Sequence, residues 1–375
     1  MDVRHSHGST VHVLRACYHD DAHDLVALGG DHSVEVIQLG ESSCRTIATF
    51  YVGLRTTAIA WSSRVSSPSS SDRWSIQLAV AASDFSLYLL TKDAGSEESV
   101  FRFGSGLSGH HGTVNDMAFC GGQSEDSSRY VASVSDDKFL MVWDLEPSIN
   151  IASPSSPDGG GTPEGTSERA QPTAYAVAFP HPLTSVDAHP STSKEVLVGD
   201  ARGSVFLTDW RTDQEGDEQA RWRNQAIVEL LEPRALADAA PGLATRWSGS
   251  VAWRRDPSAD FVGAAYGSRF ALWDMGNLHG GKPYLAGPSF PEGGHQFRWC
   301  PTYPDYFAVS TRSPARGAAI HVHNVAYPHA PPTVFALARR PLYVRAFDFV
   351  ACRGIPRIAA AVGRDVVVFY IGVDS

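Results

Sequence analysis

Charge is scarce in this sequence, basic charge above all, and long apolar runs are absent. Only 19% of the 375 residues are charged, and 41 acidic side chains outnumber 31 basic ones for a net charge of −10. A general nucleic-acid binder needs a positive field, so the balance disfavours that class of partner. No stretch of 18 apolar residues occurs, and Met1 to Gly8 is polar and His-rich. The expectation is a soluble chain with neither a membrane-spanning helix nor a secretory leader. The five cysteines (Cys17, Cys44, Cys120, Cys300, Cys352) lie far apart with no Cys-x-x-Cys pair. That spacing offers no disulfide framework or thiolate metal knuckle and suits a reducing compartment. No Gly-rich phosphate loop ending in Lys-Ser or Lys-Thr is present. The serine of Gly106-Leu107-Ser108-Gly109 lacks the spacing of a nucleophile elbow. Amphipathic helical patterns are missing as well. Short period-two runs take their place, such as Val34-Glu35-Val36-Ile37, Leu78-Ala79-Val80-Ala81 and Val366-Val367-Val368-Phe369, and these read as strands.

One segment gives the strands an architecture. Residues 109–145 run from Gly109-His110 through Thr113-Val114-Asn115-Asp116-Met117-Ala118-Phe119 and Val131-Ala132-Ser133-Val134-Ser135-Asp136-Asp137 to Val142-Trp143-Asp144-Leu145. This is the pattern of a WD repeat, one four-stranded blade of a β-propeller. Its polar residues have a structural purpose. His110 is expected to bond Asp137, and Asp137 to orient Ser133 and the indole N–H of Trp143, so that polar groups inside the blade are satisfied.

The pattern recurs in degenerate form. The end of the innermost strand falls at Ala16, Trp61, Phe119, Ala188, Trp253, Trp299 and Phe349, spaced 45, 58, 69, 65, 46 and 50 residues apart. A WD unit takes about 40–45 residues, so the long intervals hold insertions. The Trp-Asp slot is filled elsewhere by Ile37, Leu90, Thr208-Asp209, Trp273-Asp274, His323-Asn324 and Tyr370, and the turn Asp returns at Asp31 and Asp84. The expected fold is therefore an all-β, seven-bladed WD-repeat propeller, a single domain over residues 1–375.

With the strands of a blade labelled A to D from the channel outward, the D–A and B–C connections share one rim, here the top. The A–B and C–D connections share the other. Residues 62–73, 146–172 and 211–224 fall on the bottom rim. The Ser-, Pro- and Gly-rich stretch 146–172 has too few apolar residues to offset ordering entropy and is expected to be disordered. It carries Ser153-Pro154, Ser156-Pro157 and Thr162-Pro163, three proline-directed phosphorylation candidates. Residues 232–248 fall on the top rim between blades 4 and 5 and could form a short helix between Pro233 and Pro241. The last unit has only three strands, and residues 2–8 are the natural source of the fourth.

Residues with chemical potential are few. His321-Val322-His323 has a spacing used by metal sites, but His323 stands in a Trp slot and reads as structural. His5-Ser6-His7 reads as a loose terminus. No catalytic constellation is visible, although a ring could assemble one from distant blades. No enzyme, cofactor, metal or small-molecule substrate is expected.

Several segments together resemble a known family. They are Gly53-Leu54-Arg55-Thr56-Thr57-Ala58-Ile59-Ala60-Trp61-Ser62, Ala82-Ser83-Asp84, the third blade with Ala132-Ser133-Val134-Ser135-Asp136-Asp137, and Gln296-Phe297-Arg298-Trp299. The family is the small WD-repeat nucleoporin of the Y-shaped complex, in the outer ring of the nuclear pore. The inserts 146–172 and 232–248 are longer than that family leads one to expect. The resemblance implies a non-enzymatic scaffold subunit at the nuclear envelope, bound to the large propeller-plus-helical nucleoporin of the Y complex and supporting nucleocytoplasmic transport. Other Y-complex subunits would be met only indirectly, with no direct nucleic acid and no membrane insertion. The alternative is a generic WD adaptor, such as a ubiquitin-ligase substrate receptor or a chromatin-complex subunit. Those often end a C strand in Trp-Asp-x-Arg, which Trp143-Asp144-Leu145-Glu146 and Trp273-Asp274-Met275-Gly276 lack. The candidate partner surface is the top rim: Leu236, Leu243 and Trp247 in the insert, with Arg55, Arg340 and Tyr343 in other D–A connections. Aromatic and Arg side chains dominate interface energetics.

Overall fold

A strand covered on both faces can be apolar at every position, because its alternate side chains enter two different cores. Leu25–Leu28 and Leu78–Ala82 are such strands, without exposed surface. In the computed structural model these segments build seven four-stranded antiparallel sheets. Each innermost strand contacts the innermost strand of the next sheet, and the last contacts the first, which closes a seven-bladed β-propeller. The structure describes residues 3–147, 170–211, 227–234, 237, 249–256, 258–278 and 280–372. The A strands are Val13–Ala16, Thr56–Trp61, Val114–Phe119, Leu183–Ala188, Ser250–Trp253, Gln296–Trp299 and Ala346–Val350.

The core is divided in the same way as the ring. Among the described residues seven hydrophobic clusters are present, one between each pair of neighbouring blades. Blade 1 shows how period two assigns side chains to them. Leu25 and Ala27 pack toward blade 2 with Ile59, Leu78 and Val80. Val26 and Leu28 pack toward blade 7 with Ala359, Ala361 and Val366. Burial of each Val, Leu or Ile side chain contributes about 1.5–3 kcal/mol, so every seam between blades contributes to stability.

The register shows the seven units to be equivalent. Ala16, Trp61, Phe119, Ala188, Trp253, Trp299 and Phe349 each pair with one B-strand residue: Val26, Leu78, Val131, Val196, Val262, Phe307 and Ile358. Those seven pair in turn with Ile37, Leu90, Trp143, Thr208, Trp273, His323 and Phe369 of the C strands. Only the seventh differs from the sequence expectation. Phe369, not Tyr370, fills the Trp slot; Phe369 is buried, while Tyr370 is 36% exposed. A slip of one residue exchanges the two faces of a strand, and a run of four apolar residues gives no internal mark of which one faces in.

The N-terminal strand Val3–Ser6 is the fourth strand of blade 7. It pairs Val3 with Val368, Arg4 with Val367, His5 with Val366 and Ser6 with Asp365. His5 and His7 are consequently not a loose end. His7 is buried, and both imidazoles face the Glu35 carboxylate of blade 1, at 3.2 Å from His5 and 3.7 Å from His7. The top rim has the expected composition, D–A connections bonding B–C turns as in Ser83 N to Arg55 O at 2.9 Å and Gly294 N to Gly267 O at 2.7 Å. Residues 62–73 are anchored on the opposite rim, with Val65 buried and Ser67 N donating to Asp21 O at 2.7 Å. The proline-directed sites at Ser153, Ser156 and Thr162, and most of 211–224, lie outside the described residues.

Candidate functional site

The polar residues of the third blade form a relay. Trp143 Nε1 donates to Ser133 Oγ at 2.9 Å, Ser133 Oγ lies 2.8 Å from His110 Nε2, and His110 Nδ1 lies 2.9 Å from Asp137 Oδ2. A neutral His110 protonated on Nδ1 satisfies every member, since it donates to Asp137 and accepts from Ser133. Asp137 therefore reaches Ser133 and Trp143 through His110, not directly as expected. It also accepts from the backbone N–H groups of His111 at 2.9 Å and Phe139 at 3.0 Å. Burial works against its charge, but the His110 bond and these backbone donors hold its pKa at about 2. A His110→Ala variant removes one hydrogen-bond partner each from Ser133 and Asp137 and leaves a gap between them, and should lose about 1–3 kcal/mol. Urea denaturation measures this, and a variant that melts like wild type would remove the relay from the stability of blade 3.

His321 and His323 are the other pair of note. His323 stacks on Phe307 with centroids 4.9 Å apart and 2° between planes, and packs against Phe270 at 4.8 Å. His321 stacks on Phe290 at 3.8 Å. His323 is thus an aromatic core residue in the Trp slot, and its buried Nε2 has no hydrogen-bond partner. Among the described residues no group of three His, Cys, Asp or Glu side chains is placed to hold a metal ion. Burial, and secondarily His321, lowers the His323 pKa from 6.5 to about 4. A base depressed in the folded state binds more protons when unfolded. Its stabilising contribution is therefore complete above pH 6.5 and is lost as pH falls from 6.5 toward 4. His323→Phe should flatten that part of the stability profile by on the order of 1–3 kcal/mol. Urea midpoints at pH 7.5 and pH 5 compare the two proteins, and an unchanged pH dependence would contradict the assignment.

The candidate rim residues are only partly described. Arg55 and Arg340 are exposed, and Tyr343 is half-buried beneath the Arg345 guanidinium, 5.0 Å from its ring centroid. Leu236, Leu243 and Trp247 lie outside the described residues. Leu342 is 46% exposed, and Leu107, which the sequence did not single out, is 97% exposed in the D–A connection into blade 3. An apolar side chain without cover in a D–A connection was the available signal.

Polar residues also line the channel. The position just before each inner-strand end gives one layer around the axis: Arg15, Ala60, Ala118, Asp187, Ala252, Arg298 and Asp348. All seven line one cavity of about 620 Å³. Tyr18, His189 and Arg255, from A–B connections, surround its mouth. The layer two residues earlier includes Asp116, Ser185, Ser250 and Gln296. Side chains of both layers bond the backbone of the following blade. Asp116 accepts from Val186 N at 3.2 Å, Asp187 from Trp253 N at 2.8 Å, and Ser250 from Phe297 N at 3.1 Å. Gln296 accepts from Phe347 N at 2.9 Å, and Asp348 from Ala16 N at 3.1 Å. In the reverse direction Trp61 Nε1 donates to Arg15 O at 2.9 Å. Burial raises the Asp348 pKa even beside Arg298 and Arg15. Burial also disfavours the Arg15 charge, but Asp116 and Asp348 outweigh it and the Arg15 pKa is raised. The sequence held a signal for this layer, because aligning the seven strand ends puts its members in one column.

Seven equivalent four-stranded blades, one of them carrying the complete Trp–Ser–His–Asp relay, define a WD-repeat β-propeller. The chain matches no protein-family profile. It is similar to Nucleoporin Nup37: the Mus musculus protein is 23% identical over 316 residues, 82% of this chain and 79% of that protein. The Homo sapiens protein is 22% identical over 317 residues, with the same coverage. Among solved structures, Chaetomium thermophilum Raptor matches all of this chain with a TM-score of 0.65 at 12% identity. The chain spans 29% of that protein, and the likeness concerns the fold alone.

Proposed function

We propose that this chain is a structural, non-enzymatic scaffold subunit of the outer ring of the nuclear pore complex. In this reading it sits at the nuclear envelope, binds the large propeller-and-helical nucleoporin of the Y-shaped complex, and supports nucleocytoplasmic transport as architecture. The supporting observation is the similarity to Nup37 over 82% of the chain, which covers most of the ring, not a single generic blade. The rigid, stapled ring suits a platform, and function is to be sought on its rims.

The top rim is the proposed contact. Arg55, Leu107, Arg340 and Leu342 are exposed there, and the insert 232–248 is proposed to belong to the same surface. Affinity purification of the tagged chain is expected to recover nucleoporins. Recovery of ubiquitin-ligase or chromatin subunits without nucleoporins would establish the adaptor reading instead. An Arg55→Glu/Leu107→Ser/Arg340→Glu variant should melt like wild type and lose the large nucleoporin. Undiminished recovery would move the contact to the opposite rim.

A further inference from the structure

One of the cations of the channel has unused donors. Arg298 is 6% exposed. Its hydrogen bonds are made from Nη1, to Phe297 O at 2.9 Å and Ser250 Oγ at 3.5 Å. Its Nε is buried without a hydrogen-bond partner, and the side chain lines the cavity. The nearest carboxylate, Asp348, has an oxygen 3.8 Å from Nε, too far for a hydrogen bond. Asp348 is committed elsewhere, accepting from the Tyr18 hydroxyl, Ala16 N and Phe349 N. It balances the Arg298 charge, and because Nε is itself closed off from the cavity, the donors left for a ligand are those of Nη2, from which no described residue accepts and which can make a charge-assisted bond to an oxyanion.

The surroundings extend the argument. Arg15 lies in the same layer, and after burial it is the strongest influence disfavouring the Arg298 charge, so two guanidinium groups share the cavity. Arg15 is paired with Asp116, whose carboxylate also accepts from Ser185 and Val186 N. At the mouth Arg255 stands over the Tyr18 ring at 5.0 Å. It is 3.9 Å from Asp187, which accepts from Ala188 N and Trp253 N. Each carboxylate of the layer is thus engaged by backbone donors. Ala60, Ala118 and Ala252 leave space on the remaining wall, and a cavity of about 620 Å³ falls within the range of small-molecule sites.

We propose that the channel binds a small organic oxyanion, with a phosphate or carboxylate group on the Nη2 donors of Arg298 and its body against the Ala60, Ala118 and Ala252 wall. The site opens between the A–B connections, away from the top rim, so it stands or falls independently of the partner contact.

Phenyl phosphate and benzoate are the probes, phenol the uncharged control, titrated by calorimetry and by thermal melting against chloride at equal ionic strength. Saturable binding of phenyl phosphate, benzoate or both, with a saturable rise in Tm, is the expected result, and the two probes separate a phosphate from a carboxylate ligand. Arg298→Lys keeps a cation beside Asp348 but withdraws the Nη2 donors, and should weaken binding at least tenfold. Ala118→Phe fills the wall without touching the charges, and should abolish binding even if the lysine variant fails to fold. The proposal is overturned if neither probe saturates, if phenol binds as tightly, or if affinity survives Ala118→Phe. A Tm rise that is linear in concentration and present in that variant would be a general salt effect and equally fatal.

Discussion

Removal of residues 1–8 is expected to destabilise the protein by about 4–6 kcal/mol and to make it aggregate. The deletion takes away Val3–Ser6, the outer strand of blade 7. It also removes the His7 N to Arg364 O bond of 2.9 Å and the His5 and His7 contacts to Glu35. Ladder bonds at about 1 kcal/mol each and the burial of Val3 together give that magnitude. The larger consequence is topological. Asp365–Tyr370 becomes an open edge with Val366 and Val368 along it, and an unpaired apolar edge recruits other chains. Urea denaturation and size-exclusion chromatography are the measurements. A deletion variant that stays monomeric with an unchanged midpoint would show that the ring does not depend on this closure. Adding the peptide 1–8 in trans should recover part of the loss, which a nonspecific effect of truncation would not allow.

Asp348→Ala is expected to cost about 3–5 kcal/mol, the usual penalty for removing one partner of a buried ion pair. Asp348 is 2% exposed and joins blade 7 to blade 1 through Ala16 N and the Tyr18 hydroxyl. Its loss strands Arg298 in the channel and leaves the Ala16 amide without its side-chain acceptor. Asp348→Asn keeps an acceptor for the amide and should recover part of the deficit, separating the hydrogen bonds from the charge. The Tyr18 phenol, whose pKa is raised by burial and by Asp348, provides a second readout. Without the carboxylate it should ionise at lower pH, as followed by ultraviolet absorbance. A destabilisation below that of His110→Ala would mean that the staples around the channel act individually weakly and only as a set.

Much of the architecture was legible in the amino-acid sequence because its causes are local. Alternation with period two marks a strand wherever it falls, and the Asp turn followed by Trp-Asp marks a blade. That was sufficient for seven units, for the inner-strand ends from Ala16 to Phe349, and for the membership of the His110, Ser133, Asp137 and Trp143 relay. Legibility failed where local pattern is degenerate. Val366-Val367-Val368-Phe369-Tyr370 reads equally well in either register, and only the pairing of Ile358 with Phe369 decides which ring enters the core. His5 and His7 look like a polar tail until strand pairing brings Glu35 to them from blade 1. The order of the Asp137 relay was likewise a matter of distance, since composition cannot say that His110 stands between Asp137 and Ser133. The channel layer is the clearest case. Arg15, Asp187, Arg298 and Asp348 fall in one column once the strand ends are aligned, but nothing in that column says which of them pair or with what. The sequence by itself determined that there are blades, how many, and, in six of the seven C strands, which residue fills the Trp slot. Only the tertiary structure decided which side chains meet, because convergence on the axis is set by closing seven blades into a circle, a constraint that no local stretch of chain contains.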